Sequence, residues 1–469
     1  MSASLRDFIA GLEQVGELLD LTEPLSTDFE LAGALSLLEA GPALRCTPSG
    51  PFSMRVVGNV VNSRARIARA LRVPQERVSD ALLRAIAEPL PPRRIEVGPC
   101  QEVIRDPDLA TLPIPRFFSK ETGRYITAGV ILVRDVITGQ GNMSFARLKV
   151  LGPTTAMLGV SPNHHLGKMA TRAAVAGRDL PIAVAVGTHP GVMLAACLYL
   201  DFGDDELQCA GRLLGAPVDV VRAIDSEIDV PADSELILEG VVKAGQSVEE
   251  GLVSEFHGRY HDYGQGYVVE FTRITHRHDA LFQVIIPGLH QEHILLGAVP
   301  IAAGLKAQLQ RSVPGVVDVA VPDTGAGRTT AVVSISHPGP GQAHQAMMAC
   351  FSAVSLIKQV VVVDADIDVW SHEAVEWARV FHTRPERDLL VIEDARSDRS
   401  DPLARELTLG KLGVDATRKP GERAEGWAFA RVPDDAMDRA GQVLNAAQVH
   451  AARSPLLRGI ACTEDGHDG

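Results

Sequence analysis

The stretch SVEEGLVSEFHGRYHDYG, residues 247–264, sets two glutamates five positions apart, Glu250 and Glu255, with His257, Arg259 and Tyr260 close behind. An acidic surface loop has this composition. So does a pair of carboxylates arranged to move a proton, because unlike surroundings let one acid stay ionised while its neighbour keeps its proton. Five residues turn about 140° on a helix and put side chains on opposite faces of a strand. Neither regular element aligns the two acids. Convergence therefore requires a bend, and Gly251 is the residue that permits one.

A second set lies upstream in GNMSFARL, PNHHLG and DDELQCAGRL, where Asn142, His165 and Glu206 each fall where a strand or loop meets a helix. Singly they read as a turn amide, a first-turn histidine and a carboxylate on a helix dipole. Together they offer an amide oxygen, an imidazole nitrogen and a carboxylate. That mixed set suits Mn²⁺ or Mg²⁺ better than a structural zinc, which recruits thiolates, and its single negative charge leaves room for phosphate oxygens. Other motifs fail on inspection. Asp364, Asp366 and Asp368 alternate as in an EF-hand, but Val369 stands at the sixth position and Val375 at the twelfth. VPDTGAGRTT lacks both the dinucleotide spacing and the G-K-[ST] ending of a phosphate loop. No H-E-x-x-H and no G-x-S-x-G occurs.

The chain that must position these groups has 469 residues, room for two to four domains, and its hydrophobic fraction of 46% is ample for buried cores. Aromatics are 4%, so Ala, Val and Leu must do most of the packing. A formal charge of −14 argues against a nucleic-acid binder, which needs a basic stripe. Cysteines 46, 100, 197, 209, 350 and 462 are scattered without C-x-x-C, as expected of buried free thiols in a reducing cytoplasm. The opening residues lack the apolar core of a signal peptide, and no window reaches the roughly 18 apolar residues of a membrane span. The expectation is a soluble, cytoplasmic enzyme.

Phe8, Leu12, Val15 and Leu18 keep helical spacing, and ELLDLTEPLSTDFELAGALSLLEAG reads as a turn and a second helix. FSMRVVGNVVNS reads as strand and RARIARALRV as helix, which makes the N-terminal stretch an α/β segment. From about residue 120, glycine-punctuated runs such as RYITAGVILVRDV and GYVVEFTRITHR predict a largely antiparallel sheet or split barrel with inserted helices. One of those helices is PNHHLGKMATRAAVAG, with Asn163 as its N-cap and Gly177 as its stop. From about 312, short apolar strands (GVVDVAVP, TTAVVSIS, KQVVVVDADID, RDLLVIED) alternate with helices, the rhythm of a buried, mainly parallel sheet. DDAMDRAGQVLNAAQVHAARSPLL predicts a terminal helix.

Four motifs now stand in order: NMSFAR (N-x-x-x-x-R), ELQCAGRL (E-x-x-x-A-G-x-L), EGLVSE (E-x-x-x-x-E) and KLGVDAT. With the opening SLRDFIAGLEQVGELL and the strand VVVVDADID, they resemble the UbiD-type decarboxylases, which include the ferulic acid decarboxylases. The resemblance runs through nearly the whole chain. It implies an α/β (α+β) multi-domain fold: an N-terminal α/β segment (1–117), a split β-barrel domain binding prenylated FMN (118–305), and a Rossmann-like C-terminal domain with a terminal helix (306–469) that dimerises. It implies Asn142, His165 and Glu206 as ligands of Mn²⁺ or Mg²⁺ bridging to the flavin phosphate. Cofactor contacts would come from Asn142, Met143, Ser144, Phe145, Ala146, Arg147, His164, His165, Glu206 and Lys358. Potassium often accompanies the metal in similar enzymes, although Ala196 stands here where a serine is usual.

The family's paired acids match Glu250 and Glu255, with Arg147 the third member. In such enzymes an acid and the flavin ylide form a cycloadduct, CO₂ leaves, and the carbon left behind takes a proton. Glu255 would deliver it, which requires burial to hold a neutral carboxyl near neutral pH, while Arg147 and Glu250 form a charged pair beside it. The implied reaction is non-oxidative, reversible decarboxylation of an α,β-unsaturated, aromatic or heteroaromatic acid, with a flavin prenyltransferase supplying the cofactor to a homodimer. Here the sequence departs from the family, whose first Glu is followed by G-P-F-G. Gly251 keeps the first glycine, but Leu252, Val253 and Ser254 replace the Pro, Phe and second Gly, and HGRY stands where TGYY is common. Two other readings stay open on residues alone: a metal-dependent hydrolase or phosphatase using Asn142, His165 and Glu206, and a non-catalytic flavin-binding subunit.

Overall fold

The computed structural model describes residues 4–419, 430 and 432–446. Its contacts divide the chain into two units between Ala303 and Gly304.

The first unit begins with the helix Leu5–Gln14. Ser4 caps it by accepting from the Asp7 N–H, and the Asp7 carboxylate accepts in return from the Ser4 N–H at 3.0 Å. Leu5, Phe8, Ile9 and Leu12 form its buried stripe. The predicted continuation through Val15 and Leu18 does not occur. Val15 is the exposed C-cap, Gly16 has φ +73°, and Leu18 opens the strand Leu18–Leu25. ELLDLTEPL is thus strand rather than turn, because it pairs in parallel with Ala43–Pro48, a long-range contact that local spacing cannot reveal. These two strands join Arg55–Gly58 and Leu281–Gln283 in a four-stranded sheet; the helix Glu30–Leu37 lies in the chain between the first two strands, and Arg64–Leu71 and Val78–Ala87 follow the third.

A nine-stranded sheet carries the middle of the chain. Its order is Tyr125–Ile126, Arg147–Val150, Thr155–Gly159, Gln265–His276, Leu236–Glu249, Leu180–Val186, Gly129–Arg134, Gly141–Phe145, with Val103–Arg105 added on Gln265–His276. Every pairing is antiparallel, as the sequence predicts. Two of these strands, Gly141–Phe145 and Arg147–Val150, follow one another with only Ala146 between them. In a flat sheet, six strand spacings would hold them about 29 Å apart. One residue spans far less than that. The sheet must therefore curl until its ends meet, which makes it an incomplete barrel with its seam at Ala146.

Apolar side chains fill both faces of the curled sheet. In Gly129–Arg134, Val130 and Leu132 enter one buried cluster while Ile131 and Val133 enter another. Ala183 and Ala185 divide in the same way from Ile182, Val184 and Val186. This two-sided burial explains why ITAGVILV reads as a nearly continuous apolar run although its sheet is antiparallel.

The second unit holds a five-stranded sheet ordered Val316–Ala320, Thr330–Ile335, Gln359–Asp364, Thr408–Ala416, Leu389–Arg396. The two central pairings are parallel and the two outer ones antiparallel, so the sheet is mixed rather than mainly parallel. Leu389–Arg396 is an edge strand with Leu389 and Val391 exposed. Asp366 is engaged by the Arg418 guanidinium and Asp364 accepts the Arg418 N–H at 2.7 Å, so these carboxylates are spent inside the unit. A terminal helix is present as Asp434–Ala446, and the rest of the predicted tail lies outside the described residues. Cys46, Cys100, Cys197, Cys209 and Cys350 are free thiols, all but Cys197 buried, while Cys462 lies outside the described residues. Among the described residues no helix is long and apolar enough to cross a membrane.

Candidate active site

The seam strand presents Asn142 and Ser144 on one face and Met143 and Phe145 on the other. Met143 and Phe145 pack into the apolar core. On the opposite face, Asn142 Oδ1 and Ser144 Oγ are buried without a hydrogen-bond partner. Buried acceptors are almost always satisfied, so two on one strand face mark a surface built for a polar guest.

Glu206 meets this strand from the first position of the helix Glu206–Leu214, whose N-cap Asp205 accepts the Leu207 N–H at 2.9 Å. Its carboxylate accepts from Asn142 Nδ2 at 2.8 Å and from the Met143 N–H at 2.9 Å. Neither donor carries charge, and burial pushes the carboxyl up to about 7 despite them. His165 begins the helix His165–Val175. That helix and the Glu206 helix both pack on the Asn142 strand, so the three elements converge. Asn142 and Glu206 touch, whereas the His165 ring lies edge-on to Phe202 with centroids 5.1 Å apart.

Burial, then Lys168, hold the His165 ring below its ordinary range, partly offset by Asp201 and Asp204. Neutral imidazole is the ligating form. An orphaned amide oxygen beside an uncompensated carboxylate fits a hard divalent cation. The N-cap of the His165 helix is His164 rather than Asn163, and its side chain makes no capping hydrogen bond. Gly177 follows the C-cap with φ +65°, as expected. Beside Phe202 opens a cavity of about 430 Å³ lined by Pro162, Lys168, Thr171, Arg172 and Phe202.

Across the seam, Arg147 forms a two-point pair with Glu250: Nε to Oε1 and Nη2 to Oε2, each at 2.5 Å. Gly159 stands opposite Arg147 in the next strand, where a Cβ would come within 3.0 Å of the guanidinium. The Tyr263 ring lies 5.0 Å from its central carbon. Burial works against the cation, but the hydrogen bonds and charge of Glu250, joined by Glu255, raise Arg147 above its ordinary value. Glu250 is 2% exposed. Its carbonyl accepts from Lys149 Nζ at 2.6 Å and Thr122 Oγ1 at 2.9 Å, and its N–H donates to Gly264 O.

The bend expected between the acids is present. Gly251 has φ +75°, and from it rises a hairpin of Leu252–Ser254 and Tyr260–Asp262. Glu255 begins the hairpin loop, its Oε2 accepting the Phe256 N–H at 3.1 Å. It is half-buried, less enclosed than a proton donor is expected to be, because the loop it opens faces solvent at Gly258 and Arg259. Thr122, Lys149, Tyr263 and above all Glu121 escape sequence reasoning. Glu121 sits in KETG, which reads as a polar loop, yet it is 2% exposed. Burial raises its carboxyl above the usual range, offset in part by the donors of Ser254 and Phe118 and by the Arg147 charge. Lys358 lies in the second unit, with Nζ 2.8 Å from Asp401. Lys411 of KLGVDAT donates to the carbonyls of Ser355 and Ile357 just before it.

Three family models match in chain order: the N-terminal domain of 3-octaprenyl-4-hydroxybenzoate carboxy-lyase over residues 9–86, its Rift-related domain over 93–290 and its C-terminal domain over 294–416. Anhydromevalonate phosphate decarboxylase from Methanosarcina mazei is 32% identical over 438 residues, spanning 92% of this chain and 99% of that protein. The UbiD-class enzyme HmfF from Pelotomaculum thermopropionicum, solved with FMN, is similar at a TM-score of 0.89 and 33% identity, covering 93% of this chain and 98% of that one. An evolved dimeric form of the same enzyme, solved with prFMN, gives 0.86 and 32% over the same shares.

Proposed function

The chain belongs to the UbiD family of carboxy-lyases, and from that premise we propose a prenylated-FMN-dependent, non-oxidative decarboxylase acting on an α,β-unsaturated, aromatic or heteroaromatic acid. The observation that carries this reading is the Arg147–Glu250 pair, with the charge of Glu255 also acting on Arg147. The hydrolase and the non-catalytic subunit both give way to a family of carboxy-lyases.

Bound prenylated FMN supplies the electron sink that lets CO₂ depart. The chain's own part is to orient the acid, exclude water and return a proton. Arg147, held by two hydrogen bonds, provides a fixed cation at the site. Glu250 is committed to that cation and is not free to carry a proton to substrate. Glu255 has no such commitment and delivers the proton from its carboxyl. Asn142, His165 and Glu206 would hold Mn²⁺ or Mg²⁺ toward the cofactor phosphate, and the unpartnered Asn142 oxygen supports that assignment. The span Asn142–Arg147 with His164 would line the cofactor, and Lys358 is kept as a proposed cofactor contact. Potassium, which often accompanies the metal in similar enzymes, would have to bind here without a side-chain oxygen from Ala196. A homodimer in the cytoplasm, loaded by a flavin prenyltransferase, completes the reading.

Glutamate rather than aspartate at position 255 favours an acrylic-type acid. The name of the Methanosarcina relative points the same way, to a substrate that also carries phosphate. Anhydromevalonate phosphate therefore heads the panel of acids to test. The protein is co-expressed with a flavin prenyltransferase, and the bound cofactor is read by absorbance and mass before CO₂ release is assayed. Prenylated FMN and turnover of one panel acid are expected, with Glu255→Gln lowering turnover by about 10²–10⁴-fold. Colourless, flavin-free protein from such cells would sink the proposal.

A further inference from the structure

Leu252, Val253 and Ser254 separate the two acids where Pro, Phe and Gly are usual, and the structure shows what the last of them holds. The Glu121 carboxylate accepts from Ser254 twice through Oε1, from the N–H at 3.2 Å and from Oγ at 2.8 Å, while Oε2 accepts the Phe118 N–H at 3.3 Å. Among the described residues no cationic side chain forms an ion pair with Glu121, so its bonding is directed at Ser254 and its own loop. The next residue, Thr122, donates to the Glu250 carbonyl at 2.9 Å, and its methyl lies 3.2 Å from where a Cβ on Gly251 would stand. Two adjacent residues thus grip both ends of EGLVSE: Thr122 holds Glu250, and Glu121 holds the residue that precedes Glu255.

We propose that the Glu121–Thr122 dipeptide is a positioning element that fixes the separation of the Glu250 and Glu255 carboxyl groups by clamping the hairpin through Ser254. The clamp rests on the reading of Glu255 as proton donor but not on the identity of the acid. It acts through Ser254 and the Glu250 carbonyl. A hairpin of three-residue strands has little stability of its own, and a buried acceptor taking two donors from one residue supplies the anchor it lacks. Displacement of a reacting group by about 1 Å costs on the order of 10²-fold in rate, so loss of the clamp belongs in kcat rather than KM.

The test compares Glu121→Ala, Ser254→Ala and the conservative Glu121→Gln, which keeps an acceptor for Ser254, in cofactor-loaded protein. Amide hydrogen exchange across 252–262 is expected to quicken at least tenfold in Glu121→Ala and less in Glu121→Gln, with exchange in Leu180–Val186 unchanged. On the acid that the parent turns over, kcat is expected to fall about 10–100-fold with KM within threefold and flavin loading intact. Glu121→Gln is expected to recover most of that loss. Unchanged exchange in both Glu121→Ala and Ser254→Ala overturns the clamp. So does faster exchange with kcat within twofold of the parent. Glu255→Gln, run beside them, separates the two failures: parental turnover in that variant removes the donor reading and leaves the exchange result standing.

Discussion

Glu250 and Glu292 are both sealed from solvent in the first unit, at 2% and 0% exposure, and the chain treats them in opposite ways. Glu250 is given a cation, with both oxygens matched by Arg147. Glu292, in the helix Gln291–Ser312, is given only dipoles: the Asn59 N–H at 3.1 Å and the Val61 N–H at 2.8 Å. Arg66 lies near, but its guanidinium is engaged by Asn59 O, Asn62 Oδ1 and Glu17. Burial therefore wins at Glu292 and pushes its carboxyl up to about 7 against those donors. A full counter-charge fixes an anion, while neutral donors leave it titratable. At Glu250 the counter-charge is supplied across the seam by Arg147, whereas at Glu292 dipoles alone tie the loop of Asn59 and Val61 to the helix.

The contrast breaks first at Arg147. Arg147→Met leaves Glu250 buried and alone, which is expected to cost about 3 kcal/mol in urea unfolding and at least about 10²-fold in turnover. A variant as stable as the parent would mean that the cation is not what fixes Glu250. At Glu292 the expected effect has a different shape. Its folded carboxyl lies above the ordinary value of 4.5, so its contribution to stability is complete below pH 4.5 and fades as pH rises through about 7. That contribution is about 3 kcal/mol, at about 1.4 kcal/mol per pH unit of displacement. Urea midpoints from pH 4.5 to 8 should fall more steeply in the parent than in Glu292→Gln, which keeps only the slope of groups such as Glu206, and equal slopes would erase the distinction between the two carboxylates. The smallest effect belongs to the turn after Glu250. Gly251→Ala forces a left-handed alanine and is expected to lower stability by about 1–2 kcal/mol, read as a shift in Tm.

Much of this site is legible in the sequence because its signals are local. A five-residue spacing around a glycine announces a bend, and Gly251 supplies it with φ +75°. Asn142 and Glu206 meet because a strand and a helix start can each be placed from neighbouring residues. What escapes is set by distant partners. Leu18–Leu25 becomes a strand through Ala43–Pro48. The outer strands of the second unit run antiparallel to their neighbours, a direction that apolar runs do not encode. Glu121 looks like a loop acid because nothing within KETG announces that Ser254, 133 residues later, will cover it. The His165 ring lies against Phe202, a contact that residue type alone does not predict.

The link at Ala146 has a consequence for tolerated change. A turn such as Thr138–Gly139, between neighbouring strands of the sheet, can absorb an inserted residue with a local rearrangement. An insertion at Ala146 would lengthen the tie that draws the sheet's two margins together, and would shift Asn142 and Arg147 relative to each other in the same stroke. Chain length at that point is thus coupled to two functions at once. Related chains should vary freely in the outer turns and hold this span to a constant count, and a library of single-residue insertions should show its sharpest minimum in cofactor retention between positions 145 and 147.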